Sequence, residues 1–386
     1  MARTDKKPTV IKTASIRLNL SGEEAACLAA VQAVYAEACN RLVPLVIDKR
    51  CWNRFALHAL GYDMLRSETR LGAQMCCNVM RSVAAAYKAL RANGEIENDK
   101  PVPAISFKRA SIHYDQRTCT LLADGLVSLW TLEGRMVVKL APGTRQRQLM
   151  GWGKPKEAEV HCRKGQWYFN LVLEKEVEFR TNGIIVGVDV GENNLAAAST
   201  GKVWGGEKLR DERDRCLALR RRLQSNGSES AKQLLGKVSG REARHVRHVN
   251  HETSKEIVGE ALRVGARAIA LEDLTDIRSR IKAGKRMRSR LHRWAFRQLQ
   301  DQIVYKAAEH GIAVVFVDPA YTSKSCSSCG QMGSRVRHRF ACGCGRRAHS
   351  DVNAARNLAW LGESALSPRA DVNRPNVGAV SHDCAP

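Results

Sequence analysis

Residues 184–190, IIVGVDV, form an apolar run with one acidic residue, Asp189, near its end. Such a run reads as a buried strand, and the glycines at 187 and 191 place a turn directly after it. A carboxylate inside a strand core is costly unless something pairs with it, and a metal ion is a common partner. An acid that merely caps the turn is the plainer alternative, and this stretch alone leaves both open. Two later acids bear on the choice. Residues 266–271 are a second apolar strand, leaving through Glu272. Further on, HSDVNAARNLA places Asp351 at the start of a helix, where the helix dipole favours an ionised carboxylate. Three carboxylates brought into one small volume cannot all stay ionised without cations. Two divalent ions would neutralise them and suit phosphodiester hydrolysis.

The chain has 386 residues, enough for two or three modules. Lys and Arg number 63 against 39 Asp and Glu, a formal charge of +24, which points to a polyanionic partner. Arginine dominates this surplus in several segments, and its planar fork suits phosphate. No run is apolar and long enough to span a bilayer, and the first residues lack the apolar region of a secretion signal. The expectation is a cytoplasmic, nucleoid-associated protein of a bacterium or archaeon, with no membrane partner.

Four of the 13 cysteines cluster as Cys326-x2-Cys329 and Cys342-x-Cys344. Four thiolates at this spacing suit a closed tetrahedral zinc site with a structural role. Because the second pair is tight, His338 or His349 is an alternative ligand at this stage. The scattered cysteines read as small core residues, since an odd count in a large chain argues against a disulfide framework.

Along the chain, residues 9–20 alternate like a strand with one buried face, and Ser21 with Glu24 forms a capping box that opens a helix. Further helices are expected over 57–65 and 71–90, with basic residues that suit either a nucleic-acid groove or a solvated surface. Pro101 and Pro103 mark a boundary, after which short β runs (104–107, 118–122, 125–132, 136–140, 159–162 and 167–174) predict a small antiparallel barrel. Its aromatic residues Trp130, Trp152, Trp167, Tyr168 and Phe169 are candidates for base stacking, though barrel core is the expected role for most. Strands are expected at 195–199 and 201–206, then a basic helix over 207–223 and a long helix over 230–264. His245, His248 and His251 on the latter read as phosphate-facing or solvated. Residues 276–293 hold eight Lys and Arg residues and predict a mobile basic loop. An amphipathic helix over 294–310 and a buried strand over 312–317 follow.

GVDVGENNLA, ALEDL, LHRWAFRQLQ, YTSKSCSSCG and HSDVNAARNLA occur in an order that resembles the TnpB (OrfB) proteins of insertion sequences, relatives of the compact type V CRISPR effectors. The resemblance is specific over 184–361; KTASIRLNL and VPAISFKR resemble the family's N-terminal half more weakly. It implies a multidomain α/β protein. An RNase H-like (RuvC) nuclease domain with a zinc-finger insertion follows an N-terminal wedge β-barrel, which holds an inserted helical recognition module. The implied boundaries are 1–20 for the first barrel strand, 21–98 for the helical module and 99–182 for the barrel. The nuclease would occupy 183–320, with a basic helical insertion at 207–264, and 349–362; the zinc finger 321–348 and a disordered tail 363–386 complete the chain.

By the same resemblance, Asp189, Glu272 and Asp351 fall on the catalytic acids, which hold two Mg2+ ions. Cys326, Cys329, Cys342 and Cys344 fall on the ligands of a structural Zn2+. The implied activity is metal-dependent, RNA-guided DNA cleavage: a guide RNA pairs with double-stranded target DNA and the protein reads a short flanking motif. Two alternatives remain at this point, a guided DNA-binding protein or repressor that cuts poorly and an unguided transposase-like nuclease of the same fold.

Overall fold

The computed structural model describes residues 8–98, 100–274, 296–318 and 322–366. The chain divides into two compact units, one over Ile11–Lys175 and one formed by Glu176 onward together with the segment that ends at Val10.

In the first unit, β1 (Thr9–Asn19) buries Ala14, Ile16 and Leu18 and exposes Arg17 and Asn19, the alternation of a one-sided strand. Ser21 then caps α1 (Gly22–Lys49): its hydroxyl accepts from the Glu24 N–H at 3.2 Å and Glu24 returns a bond to the Ser21 N–H at 2.7 Å. Leu28, Val31, Tyr35, Ala38 and Leu42 recur at helical spacing and form its buried face. The helices α2 (Arg54–Glu68) and α3 (Ala73–Ala92) pack with it.

The strands β2 (Ile112–Tyr114), β3 (Cys119–Leu121), β4 (Leu126–Thr131), β5 (Gly134–Ala141), β6 (Lys154–Arg163) and β7 (Gln166–Glu176) join β1 in one sheet. Its order is β2-β6-β7-β1-β5-β4-β3. The two ends of that order, β2 and β3, are joined through the turn at Asp115–Thr118, so the sheet comes close to a barrel. The run 104–107 is not a strand. Asn40 of α1 takes over its backbone, accepting from the Phe107 N–H at 2.8 Å and donating to the Phe107 carbonyl at 3.1 Å. A short helix α4 (Thr144–Met150) that the pattern did not suggest lies between β5 and β6. Trp167 and Phe169 are core residues, whereas Trp130 is partly exposed with Arg135 over its ring.

In the second unit, β8 (Ile184–Asp189), β9 (Asn194–Ala198) and β10 (Val203–Gly205) run antiparallel, and β11 (Ala266–Glu272) and β12 (Ala313–Val317) continue the sheet parallel to β8. The order is β10-β9-β8-β11-β12. One face is covered by α5 (Glu207–Asn226), α6 (Glu229–Arg263) and α7 (Phe296–Glu309), which enclose Val186, Val188, Ile269 and Leu271. His251 of α6 is partly buried: its ring meets the Tyr305 hydroxyl at 3.3 Å, so it packs within the unit.

The other face carries α8 (Ser350–Leu366), whose Leu358 packs with Ile185, Ala268 and Ala270. Gly187 permits this contact: a Cβ there would meet the Ala355 carbonyl at 1.8 Å, so helix backbone lies directly on the strand. Gly362 does the same one end further along, over Ala270 and Ile185. Because α8 extends to Leu366, the expected tail at 363–386 begins in helix; residues 367–386, like all of the basic loop expected at 276–293, lie outside the described residues. A small sheet of β13 (Ser334–Val336), β14 (Arg339–Ala341) and β15 (Arg347–His349) precedes α8. No helix among the described residues is long and apolar enough to cross a membrane.

Candidate functional site

Strand alternation decides where the acids go. Ile185 and Gly187 face α8, so Asp189, two residues further, faces it too. On β11, Ala268 and Ala270 face α8, and Glu272 follows them. Leu271 pairs with Val188, so Glu272 and Asp189 leave the sheet side by side at the same edge. Asp351 lies in the first turn of α8, one turn before the Ala355 backbone that rests on Gly187. The three acids, separated by 162 positions in the chain, therefore meet at one end of the sheet.

Their electrostatics differ. Burial pushes the Asp189 carboxyl up to about 8, and the negative charges of Glu272 and Asp351 add to the rise, while Arg335 opposes it. Burial also raises Glu272; Thr322, whose hydroxyl donates to Glu272 Oε1 at 3.1 Å, and Arg335 hold it back. The main chain at Glu272 is anchored by Gln300 Nε2, 2.8 Å from its carbonyl oxygen. Asp351 is buried, and donors surround it: Asn194 Nδ2 at 2.9 Å, Arg335 Nη2 at 2.9 Å and the Ser350 hydroxyl at 3.0 Å. A site in which burial, reinforced by two neighbouring acids, keeps one acid protonated near neutral pH is short of positive charge. Hard oxygen donors of this kind suit Mg2+.

Next to the acids lies the cysteine cluster. Cys326 and Cys344 sulfurs are 3.7 Å apart, Cys329 and Cys342 sulfurs 3.6 Å, and all four lie within 4.8 Å of one another. Sulfurs bound tetrahedrally at about 2.3 Å from zinc would stand about 3.8 Å apart. The four thiols thus fit a metal ion such as zinc, and the set is completed by Cys344 without a histidine. Burial disfavours the Cys326 thiolate, but N–H groups of Ser328 and Cys329 and the neighbouring thiols outweigh it and bring Cys326 below its ordinary value.

Two residues of α8 tie this cluster to the helix. Asn353 Nδ2 donates to the Ser325 carbonyl at 2.7 Å while its Oδ1 accepts from the Ser327 N–H at 3.0 Å. Asn357, one turn on, donates to the carbonyls of Thr322 at 2.7 Å and Ser325 at 2.8 Å. Sequence reasoning had given no role to Asn353, Asn357, Asn194, Thr322 or Arg335. The i,i+4 spacing of the two asparagines was a usable signal; Arg335 carried none, being one arginine among many.

The fold and site define a mixed α/β protein with three converging carboxylates beside a four-cysteine cluster that could hold a metal. Residues 296–358 match the family model described as Cas12f1-like, TNB domain. Over 226 residues the chain is 34% identical to the CRISPR-associated endodeoxyribonuclease Cas12f1 of Sulfoacidibacillus thermotolerans, covering 51% of this chain and 50% of that one. It is 45% identical over 107 residues to a TnpB-like protein of Methanocaldococcus jannaschii, 28% of this chain and 38% of the other. The chain spans about half the length of the curated relatives it matches. The fold resembles that of Cas12f1 in its cryo-EM complex with sgRNA and target DNA, with a TM-score of 0.60 at 15% identity over 88% of this chain and 83% of that one. The chain is thus similar in sequence to proteins named Cas12f1 and TnpB-like, and in fold to Cas12f1.

Proposed function

We propose that this chain is a Mg2+-dependent, RNA-guided DNA endonuclease whose catalytic acids are Asp189, Glu272 and Asp351. The observation that carries this reading is their convergence with Asp189 held protonated up to about pH 8, a site that needs cations to ionise fully. A pair of Mg2+ ions bound there would activate a water and stabilise the leaving 3′ oxygen of a phosphodiester.

The chain's own residues prepare that chemistry. Asn194 and Ser350 fix both oxygens of Asp351, and Thr322 and Gln300 orient Glu272 from two sides. The Arg335 guanidinium lies against the acids and supplies counter-charge at the edge where a phosphate would arrive. Zinc held by Cys326, Cys329, Cys342 and Cys344 has no open position and would set the small sheet that carries Arg335. In this reading the second unit is the RuvC-type nuclease. The near-barrel sheet is the wedge domain, and α1 to α3 are its recognition module. The formal charge of +24 suits a protein that holds both a guide RNA and target double-stranded DNA. A match to proteins named endodeoxyribonuclease and TnpB-like supports the same assignment.

The test is to purify the protein from its native locus context and sequence the RNA that accompanies it. One discrete RNA with a constant scaffold and a variable end is expected. DNA matching that variable end should then be cut in Mg2+ and left whole without it. Heterogeneous RNA, with cutting indifferent to sequence, would sink the guided reading.

A further inference from the structure

A second set of candidate metal ligands adds two histidines that belong to neither cluster discussed so far and shares Asp351 with the acids. One ligand atom each from His338, His349 and Asp351 lies within 4.8 Å of the others. The two imidazole rings stack with centroids 5.4 Å apart and planes 21° from parallel. Their placement is fixed by backbone, not by flexible side chains: β14 and β15 pair with Arg339 opposite His349, and the Ser350 N–H donates to the His338 carbonyl at 2.9 Å. The third ligand, Asp351, follows two residues after His349, where α8 begins.

We propose that His338, His349 and Asp351 form a binding site for a divalent transition metal of the zinc class, separate from the four-cysteine knuckle. Two imidazole nitrogens and one carboxylate oxygen are borderline donors that suit Zn2+, Ni2+ or Co2+ and do not suit Mg2+. His349 Nδ1 makes only a long 3.3 Å contact with the Asp351 N–H, and His338 is exposed, so the two imidazoles have little to give up and an approach from solvent, while Asp351 already accepts from Asn194, Arg335 and Ser350. The metal would take Asp351 away from its Arg335 partner and, on the reading of Asp351 as a catalytic acid, away from the magnesium site. Zinc bound here therefore competes with catalysis. That consequence rests on the proposed nuclease activity; the binding itself does not.

The experiment uses the full chain, loaded with zinc at the knuckle and freed of excess metal, and titrates Zn2+ in Mg2+-free buffer by calorimetry. The parent should bind one more zinc per chain than His338→Gln or His349→Gln. Losing a ligand outright should weaken that site beyond the roughly 10–100-fold typical of losing a supporting contact. Retention of the knuckle zinc in both variants shows that the segment has folded. Equal zinc stoichiometry and affinity in parent and both variants overturns the site. A second arm measures guided DNA cleavage at fixed Mg2+ with added Zn2+. His338→Gln should keep the parent's rate in Mg2+ alone and need at least tenfold more Zn2+ for half-inhibition. Equal inhibition of parent and variant overturns the competition. No cleavage by the parent under any condition would count against the nuclease reading and leave the binding result standing.

Discussion

The acid site and the cysteine knuckle are both candidate metal centres tied to α8, the first through Asp351 and the second through Asn353 and Asn357, yet they are built in opposite ways. The knuckle takes its four ligands from 19 consecutive residues, and two tight turns place them: Gly330 N–H to the Cys326 carbonyl at 2.9 Å, and Gly345 N–H to the Cys342 carbonyl at 3.0 Å. The acids come from two strands and a helix far apart in sequence, and only sheet register and a glycine contact bring them together. The knuckle holds soft donors that could close around one ion; the acid site holds hard donors that repel one another. A local centre organises its own short segment, while a topological centre can form only after the whole sheet has folded and stores repulsion that a cation relieves.

The largest effect should follow from removing that repulsion. Asp189→Asn is expected to lower guided cleavage by on the order of a thousandfold or more, since metal-based stabilisation is worth several kcal/mol. RNA and target binding should change little. The same change should stabilise the metal-free protein. Folded Asp189 keeps its proton up to about pH 8, whereas unfolded it ionises near 3.8. Between those values the native state holds more protons, so this group's contribution falls as pH rises from about 4 to 8. Asn carries no such slope. The variant should gain on the parent by a margin growing to on the order of 2–5 kcal/mol at pH 8, discounted for partial exposure. Denaturant unfolding at pH 5 and pH 8 without Mg2+ checks it; an equal margin at both pH values would mean that burial and the neighbouring acids do not raise Asp189.

Breaking the knuckle should look different. Cys329→Ser leaves three thiols, and loss of the ion should loosen β13 to β15 while the five-stranded sheet keeps its main unfolding transition. Arg335 lies in β13 and Thr322 just ahead of the first cysteine, so cleavage should still fall, by roughly tenfold or more, through misplacement of charge. Zinc content and hydrogen exchange over 334–349 measure the local loss. Full exchange protection in a zinc-free variant would show that the segment does not depend on its metal.

This contrast also explains what the sequence revealed. Cys326-x2-Cys329 and Cys342-x-Cys344 declare themselves because their geometry is local. Asp189, Glu272 and Asp351 could be singled out one by one as acids at the ends of apolar elements, but their meeting depends on the parallel pairing of β8 with β11 and on Gly187, neither visible in a linear pattern. The strand alternation of residues 9–20 was legible because one face is buried. The run 104–107 misled because its alternation is equally consistent with a chain whose backbone is satisfied by a side chain, as Asn40 does for Phe107. Arg335 was hidden by composition: with 63 basic residues, the one that reaches an acid cannot be told from its neighbours.

Arg335 links the two centres and so sharpens the comparison. It sits on the knuckle's sheet and donates to Asp351 while lowering both Asp189 and Glu272. Arg335→Gln should cut the cleavage rate by roughly 10- to 100-fold, the loss of a charged donor at a site of developing negative charge. Without its charge, Asp189 and Glu272 release their protons at higher pH, so the rise of cleavage with pH should move to the alkaline side. A pH profile at saturating Mg2+ decides it: a lower rate with an unmoved profile would leave Arg335 a contact for substrate alone.

Thr322 is the smallest link and the most discriminating. It is buried at the entrance to the knuckle, its carbonyl is held by Asn357 and its hydroxyl reaches Glu272. Valine has nearly the same shape, so Thr322→Val should leave zinc content and thermal unfolding almost unchanged. It removes one hydroxyl bond to a carboxylate, worth about 1–2 kcal/mol. Glu272 then rises further and binds a cation less readily. The Mg2+ concentration for half-maximal cleavage should climb by roughly 5- to 20-fold, with the rate at saturation nearly restored. Loss of the saturated rate would place Thr322 in the knuckle's mechanical support of the site, since added Mg2+ can compensate for a weakened ligand but not for a displaced one.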